Sequence, residues 1–184
     1  MEKSPWQVTA RNVVYDNQWI RLTHHEVIRP DGLPGIYGIV HFHHRAVGVL
    51  PIDENGWTWL VGQYRLPHEK YSWEIPEGGC PGGESTLEAA RRELREETGL
   101  TASNWEQIGC ADLSNSVTDE TATIYLATGL QPGPAAPEGT EQISLRHLPF
   151  EEALQMVMTG EITDAISIMA ILLYQQLMAH RSSD

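Results

Sequence analysis

Glu93, Glu96 and Glu97 stand at i, i+3 and i+4 in the stretch Arg92-Glu93-Leu94-Arg95-Glu96-Glu97. On a helix they fall within an arc of about 100°, so their side chains are neighbours. Like charges placed this way oppose helix formation by a few tenths of a kcal/mol per pair. Negative charge near a helix C-terminus also opposes the macrodipole. A hard divalent cation reverses both effects, because several carboxylate oxygens, completed by water and phosphate, are what Mg²⁺ takes as ligands. Arg92 lies four residues before Glu96 and can orient the cluster. Taken alone, the pattern fits a solvated acidic helix face better than a metal site. The lead-in Trp73-Glu74-Ile75-Pro76-Glu77-Gly78-Gly79 favours the metal. It ends a β segment in a turn before a loop and a helix, which can bring backbone carbonyls beside the carboxylates.

Several elements must hold that helix. Ser85 and Glu88 fit a capping box, Leu87, Ala90 and Leu94 keep helical spacing toward a core, and Gly99 stands where a helix stops. Upstream the chain reads as β. Residues 12–28 are strand material broken by Asp16-Asn17-Gln18, Ile36 to His43 alternates, and Asp53-Glu54-Asn55-Gly56 turns into a strand over Trp57 to Tyr64. Downstream, a strand is expected over Thr121 to Thr128, a loop over 129–140, and a strand near Ile143 to Leu145. Helices are expected over Phe150 to Met158 and Asp164 to Met178. Met156, Met158, Met169 and Met178 read as core fillers. Strands and helices in mixed order predict an α/β or α+β sandwich.

Composition narrows the function. With 12 Lys and Arg against 25 Asp and Glu, the net charge is -13. The basic residues are scattered, so the stripe that nucleic-acid binding needs is missing. No apolar run reaches the roughly 18 residues of a membrane span, and Met1 to Trp6 has no secretory h-region. Two cysteines, Cys80 and Cys110, make no disulfide framework. A cytoplasmic setting is the expectation. His41 and His43 share a strand face, but no carboxylate or cysteine lies at metal-site spacing near them.

Gly78, Glu84, Arg92-Glu93-Leu94, Glu96-Glu97 and Gly99-Leu100 fill all nine fixed positions of Gly-x5-Glu-x7-Arg-Glu-U-x-Glu-Glu-x-Gly-U, with U aliphatic. In this the chain resembles the Nudix hydrolases. Gln63-Tyr64-Arg65, Trp73 to Gly78 and Gly160-Glu161-Ile162-Thr163-Asp164-Ala165 are similar to the ADP-ribose and nucleoside-diphosphate-sugar pyrophosphatase branch. The resemblance implies an α/β/α sandwich with a mixed central sheet. It implies an N-terminal β region (1–45) that forms or swaps across a homodimer, followed by a catalytic domain (46–184). The implied reaction splits the pyrophosphate of a nucleoside diphosphate sugar, such as ADP-ribose or GDP-mannose, with Mg²⁺ or Mn²⁺.

Carried over position by position, Glu93 and Glu97 would ligate metal, together with the backbone carbonyl of Glu77. Glu96 would ligate or help activate water. Glu141, in the loop before a late strand, would be ligand or general base, with Glu138 in reserve. Arg65 would bind phosphate, Trp19 and Tyr37 would stack the base, and Glu74 and Glu120 would contact substrate. Two departures stand out. Relatives often carry Ala where this chain has Glu77, and many ADP-ribose hydrolases carry Ser-Pro-Gly where it has Ser114-Asn115-Ser116. The rival expectations are a Nudix enzyme for triphosphate or cap substrates and a non-catalytic nucleotide-binding module. The second fits poorly with a complete set of box glutamates.

Overall fold

The computed structural model describes residues 3–133 and 142–181. The chain divides into two compact units, Met1–Arg45 with Asp112–Thr121, and Ala46–Ala111 with Ala122–Asp184.

The first unit is built on an antiparallel sheet of β1 (Gln7–Asp16), β2 (Ile20–Ile28) and β3 (Pro34–Phe42), in that order. Its turns follow from side-chain chemistry. The Asn17 carboxamide oxygen accepts the backbone N–H groups of Trp19 and Ile20, each at 2.8 Å, which is how Asx residues reverse a chain. Between β2 and β3, Asp31 accepts from the Leu33 N–H, and Gly32 supplies a φ of +82°. Strand alternation puts Thr23, His25 and Val27 inward. The segment 112–121 is tied to β3 by the Val40 N–H to the Val117 carbonyl and the Asp119 N–H to the Val40 carbonyl.

The second unit begins with β4 (Arg45–Pro51) and β5 (Trp57–Arg65), joined by a turn in which Asp53 accepts from the Asn55 and Trp57 N–H groups. After a 3₁₀ turn at Leu66–His68 come β6 (Lys70–Glu74), β7 (Glu77–Cys80) and α1 (Thr86–Thr98). β8 (Leu100–Asp112), β9 (Thr121–Pro132), β10 (Ser144–Pro149), α2 (Phe150–Met158) and α3 (Ala165–Arg181) complete it. One sheet runs β7-β4-β9-β8, with β4 and β9 parallel; the other runs β10-β5-β6 and is antiparallel. Val47 and Val49 on β4 join Ala89, Ala90 and Leu94 of α1 in one core cluster. The alternate residue, Gly48, lies so close to Ile166 of α3 that a Cβ there would come within 2.5 Å of it. Helices thus cover both faces of β4, the mixed sheet with helices that the sequence predicts.

Some expectations need correction. The predicted loop at 129–140 starts too early, because β9 runs on to Pro132. The glycines after Glu77 lie in strand β7 rather than a turn. Met156 is buried, whereas Met158 and Met178 are exposed and fill no core. The late strand lies at Ser144–Pro149, a little beyond the predicted position.

Candidate active site

α1 is started by the predicted capping box. Ser85 Oγ accepts the Glu88 N–H, the Glu88 carboxylate accepts the Ser85 N–H, and Gly99 ends the helix at φ +73°. With Ala89, Ala90 and Leu94 sealed in the core, the register of the glutamates is fixed. Gly78 lies directly under Glu93: a Cβ at Gly78 would sit 2.2 Å from the Glu93 carboxyl carbon. Glu97 is buried, and its Oε2 accepts the Glu77 N–H at 2.9 Å. The glutamate helix and the strand that carries the Glu77 carbonyl are therefore joined at the predicted ligand positions.

Arg92 organises the rest. Its Nη1 donates to Glu93 Oε1 at 2.7 Å and to Glu96 Oε2 at 3.0 Å. Its Nε and Nη2 reach the two oxygens of Glu84, and Nη2 also donates to the Gly79 carbonyl at 2.7 Å. Burial disfavours the charged guanidinium, yet the bonds from Glu84, Glu93 and Glu96 more than offset this and raise its pKa. Three carboxylates thus converge on one cation, with a fourth, Glu97, pinned beside the strand. The donor set is entirely hard oxygen, so it fits Mg²⁺ or Mn²⁺ and not a softer metal.

A second arginine-centred cluster lies at the ends of β5, β6 and β7 and the start of α3. Arg65 Nε bonds Glu74 Oε1 and Oε2 at 3.0 and 3.1 Å, and its Nη2 donates to Glu74 Oε2 at 2.5 Å and Glu77 Oε1 at 3.1 Å. Glu74, Glu77 and Asp164 each bring a carboxylate oxygen within 4.8 Å of the other two. Glu77 Oε2 is buried with no hydrogen-bond partner among the described residues. Burial first, then the charges of Asp164 and Glu74, hold the Glu77 pKa well above the ordinary carboxylate value, against the pull of Arg65. For Arg65, burial is outweighed by Glu74, Glu77 and Asp164, and its pKa rises. Asp164 also accepts the Ser167 N–H at 2.7 Å, and Ser167 Oγ accepts the Ile75 N–H at 2.9 Å. The first turn of α3 therefore braces the Glu74–Glu77 turn. Sequence reasoning assigned Asp164 no role. Its position at the start of the last helix was the signal, but its proximity to Glu77 is a product of the fold.

The remaining predicted residues are distributed differently. Trp19 and Tyr37 both belong to the first unit, but they are not brought together. The Trp19 carbonyl accepts the His43 N–H, whereas Tyr37 pairs with His25. Five residues of β3, Gly38 to Phe42, lie between Tyr37 and His43, so the two positions are about 20 Å apart along the strand direction. Trp19 is largely exposed beside His44, and the Tyr37 hydroxyl donates to the Ser116 carbonyl at 2.5 Å. Glu120 is also in the first unit, its carbonyl accepting the Leu113 N–H. Glu138 and Glu141 lie outside the described residues. His41 and His43 do meet carboxylates, Asp119 and Asp16, from distant parts of the sequence; each forms a single ion pair and not a metal cluster.

Comparison with known proteins agrees with this geometry. Residues 42–167 match the NUDIX domain, and residues 6–40 match the nucleoside diphosphate sugar hydrolase N-terminal domain. The chain is 37% identical over 133 residues to an ADP-ribose pyrophosphatase of Mycobacterium tuberculosis, covering 71% of this chain and 64% of that one. It thus spans somewhat under two thirds of that relative. It is 32% identical over 164 residues to the ADP-ribose pyrophosphatase of Bacillus subtilis, covering 88% of each. It is 31% identical over 172 residues to a methanol dehydrogenase activator of Bacillus methanolicus, covering 91% of this chain and 92% of that one. A crystal structure described as an ADP compounds hydrolase superposes with a TM-score of 0.87 over 98% of both chains, at 19% identity, and so shares the fold. No helix among the described residues is long and apolar enough to cross a membrane. With a family match over more than half its length and every box position in place, the chain belongs to the Nudix hydrolase family.

Proposed function

We propose that this protein hydrolyses the pyrophosphate bond of nucleoside diphosphate sugars, ADP-ribose among them, giving a nucleoside monophosphate and a sugar phosphate. The observation that carries this reading is the junction of Glu93 and Glu97 with the Glu77–Gly78 strand. Glu93, Glu97 and the Glu77 carbonyl would hold Mg²⁺ or Mn²⁺, with Glu96 as a further ligand. When bound, the metal neutralises the diphosphate and lowers the pKa of bound water. The chain's own residues do the rest. Arg92 holds Glu93 and Glu96 in place, and Arg65 presents a guanidinium to a phosphate oxygen. A carboxylate, Glu96 or Glu141, accepts the proton of the attacking water, a contribution of roughly 10²–10⁴-fold. Glu120 would contact the substrate, Glu74 would act on it through Arg65, which it holds with both oxygens, and the names of the relatives support ADP-ribose as the first compound to try.

The separation of Trp19 from Tyr37 supports a homodimer. One base cannot readily touch two rings whose backbone positions lie about 20 Å apart along the sheet; two copies, each offering one ring, can sandwich it. In this reading residues 1–45 form or swap the dimer contact, 46–184 carry the chemistry, and the protein works in the cytoplasm. The test is product analysis over ADP-ribose, ADP-glucose, GDP-mannose and UDP-glucose with and without Mg²⁺. Release of nucleoside monophosphate only with metal is expected. Release of inorganic pyrophosphate from nucleoside triphosphates, with the sugars untouched, would replace this reading by the triphosphate one.

A further inference from the structure

The hydrogen bonds of Arg65 fix which of its edges is left for a ligand. A guanidinium has two edges that can grip an oxyanion with parallel N–H bonds, Nε with Nη2 and Nη1 with Nη2. Glu74 occupies the first with both oxygens. That fork uses the Nη2 hydrogen parallel to Nε–H. The Nη2 hydrogen left over is the one on the terminal edge, and it is donated to Glu77 Oε1 at 3.1 Å. Only Nη1 donates to no described residue, and its two N–H bonds diverge. Arg65 keeps 37% of its side-chain surface exposed, whereas Glu74 keeps 3% and Glu77 12%. Arg65 is thus the most exposed of the three side chains, and the carboxylates that take its other hydrogens are the more buried ones.

We infer that the Glu77 side chain is a specificity-determining residue that withholds one hydrogen of the Arg65 terminal edge, so that Arg65 meets phosphate through Nη1 alone instead of through a two-bond clasp. This rests on the proposed function in taking phosphate as what Arg65 meets. It assigns the Glu77 side chain a task separate from that of its carbonyl. Glu77 is well placed for it. Its N–H is held by Glu97 and its peptide lies on β7, so the backbone that carries the carboxylate is fixed beside the glutamate helix. Removing the side chain would leave the backbone carbonyl in place and free an Nη1/Nη2 edge for bidentate binding. The consequence runs against the usual effect of altering an active site, since truncation should tighten the grip on a diphosphate.

Three variants separate the causes. Glu77→Ala frees the edge and removes a charge. Glu77→Gln removes the charge but keeps an acceptor oxygen for Nη2. Arg65→Lys, alone and with Glu77→Ala, replaces the fork by an ammonium that has no parallel edge. Binding of inorganic pyrophosphate with Mg²⁺, measured by calorimetry, is the first readout; KM and kcat for ADP-ribose are the second. Glu77→Ala is expected to bind pyrophosphate roughly ten- to a hundredfold more tightly, the worth of one added charge-assisted hydrogen bond. The matching change in hydrolysis should fall on KM more than on kcat. Glu77→Gln should recover less than half of that gain, and the gain should vanish in the Arg65→Lys background. No gain in Glu77→Ala, an equal gain in Glu77→Gln, or a gain that survives Arg65→Lys would each overturn the inference. If the wild type turned over no nucleotide sugar, the proposed function would fall, while the pyrophosphate measurements would still decide what Glu77 does to Arg65.

Discussion

Two arginines in the same unit each stand among three carboxylates, and they are built in opposite ways. Arg92 collects Glu84, Glu93 and Glu96 from one helix and the loop that leads into it, so every carboxylate partner lies within eight residues. Arg65 collects Glu74, Glu77 and Asp164 from β6, β7 and the start of α3, up to 99 residues away. The Arg92 carboxylates are partly exposed, at 23% for Glu84, 13% for Glu93 and 19% for Glu96, so an incoming cation can reach them and take over from the guanidinium. On the Arg65 side Glu74 is almost sealed, at 3% exposed, so the arginine itself remains as its counter-charge. A cluster built from one helix and its lead-in is set by local spacing, whereas a long-range one depends on how the whole unit folds.

The comparison can be broken at either cluster. The largest effect is expected from Glu97→Gln, which removes a ligand charge and weakens the tie to the Glu77 N–H. Its kcat for a nucleotide sugar should fall at least about 100-fold at saturating Mg²⁺, and near-wild-type turnover in stopped assays would remove Glu97 from the chemistry. Next comes Arg92→Met. Without metal it leaves three neighbouring carboxylates uncompensated and should cost about 2 kcal/mol in urea unfolding. Added Mg²⁺ should restore much of that loss; an identical loss with and without Mg²⁺ would contradict the idea that the cations interchange. The braces give a finer contrast. Ser167→Ala leaves the buried Ile75 N–H unpaired and should cost about 1–3 kcal/mol. Ser85→Ala removes a helix cap at the surface and should cost about 1 kcal/mol. Equal losses in thermal unfolding would deny that the Arg65 side is the more tightly braced.

The subtlest test uses pH. The folded state raises the Glu77 pKa above its usual 4.5, chiefly through burial and the nearby Asp164 and Glu74 charges. An acid whose folded-state pKa is raised binds its proton more tightly when folded. Its contribution to stability is fully present below the unfolded pKa and is lost as pH rises through the folded one. Glu77→Gln stays neutral and escapes that loss. The Tm difference between variant and wild type, measured without divalent metal, should therefore grow in favour of the variant as pH rises from about 4.5. A difference that stayed flat or narrowed with rising pH would show that Glu77 ionises freely in the folded protein.

The same contrast explains what could be read from the chain alone. The Arg92 cluster was legible because helical periodicity turns spacing into proximity, so Glu93, Glu96, Glu97 and the Ser85 cap could be placed by counting. Asp164 could not, since only the packing of α3 against the Glu74–Glu77 turn brings it to Glu77. Trp19 and Tyr37 were legible as ring positions but not as neighbours, because strand register, which residue types alone do not state, sets their separation. The over-long loop after Thr128 had a related cause. Gly129 and Pro132 read as loop punctuation, yet Gly129, at φ +66°, is held within β9, and Pro132 is its last residue.

Gly78 carries a consequence in genetic terms. Its missing side chain leaves room for the Glu93 carboxylate, which a single carbon would overlap at 2.2 Å. Every amino acid that one base change can reach from a glycine codon has a Cβ. At this codon, therefore, mutation has no first step that keeps the pocket's geometry: each amino-acid replacement pushes Glu93 aside, and drift is confined to synonymous third-base changes.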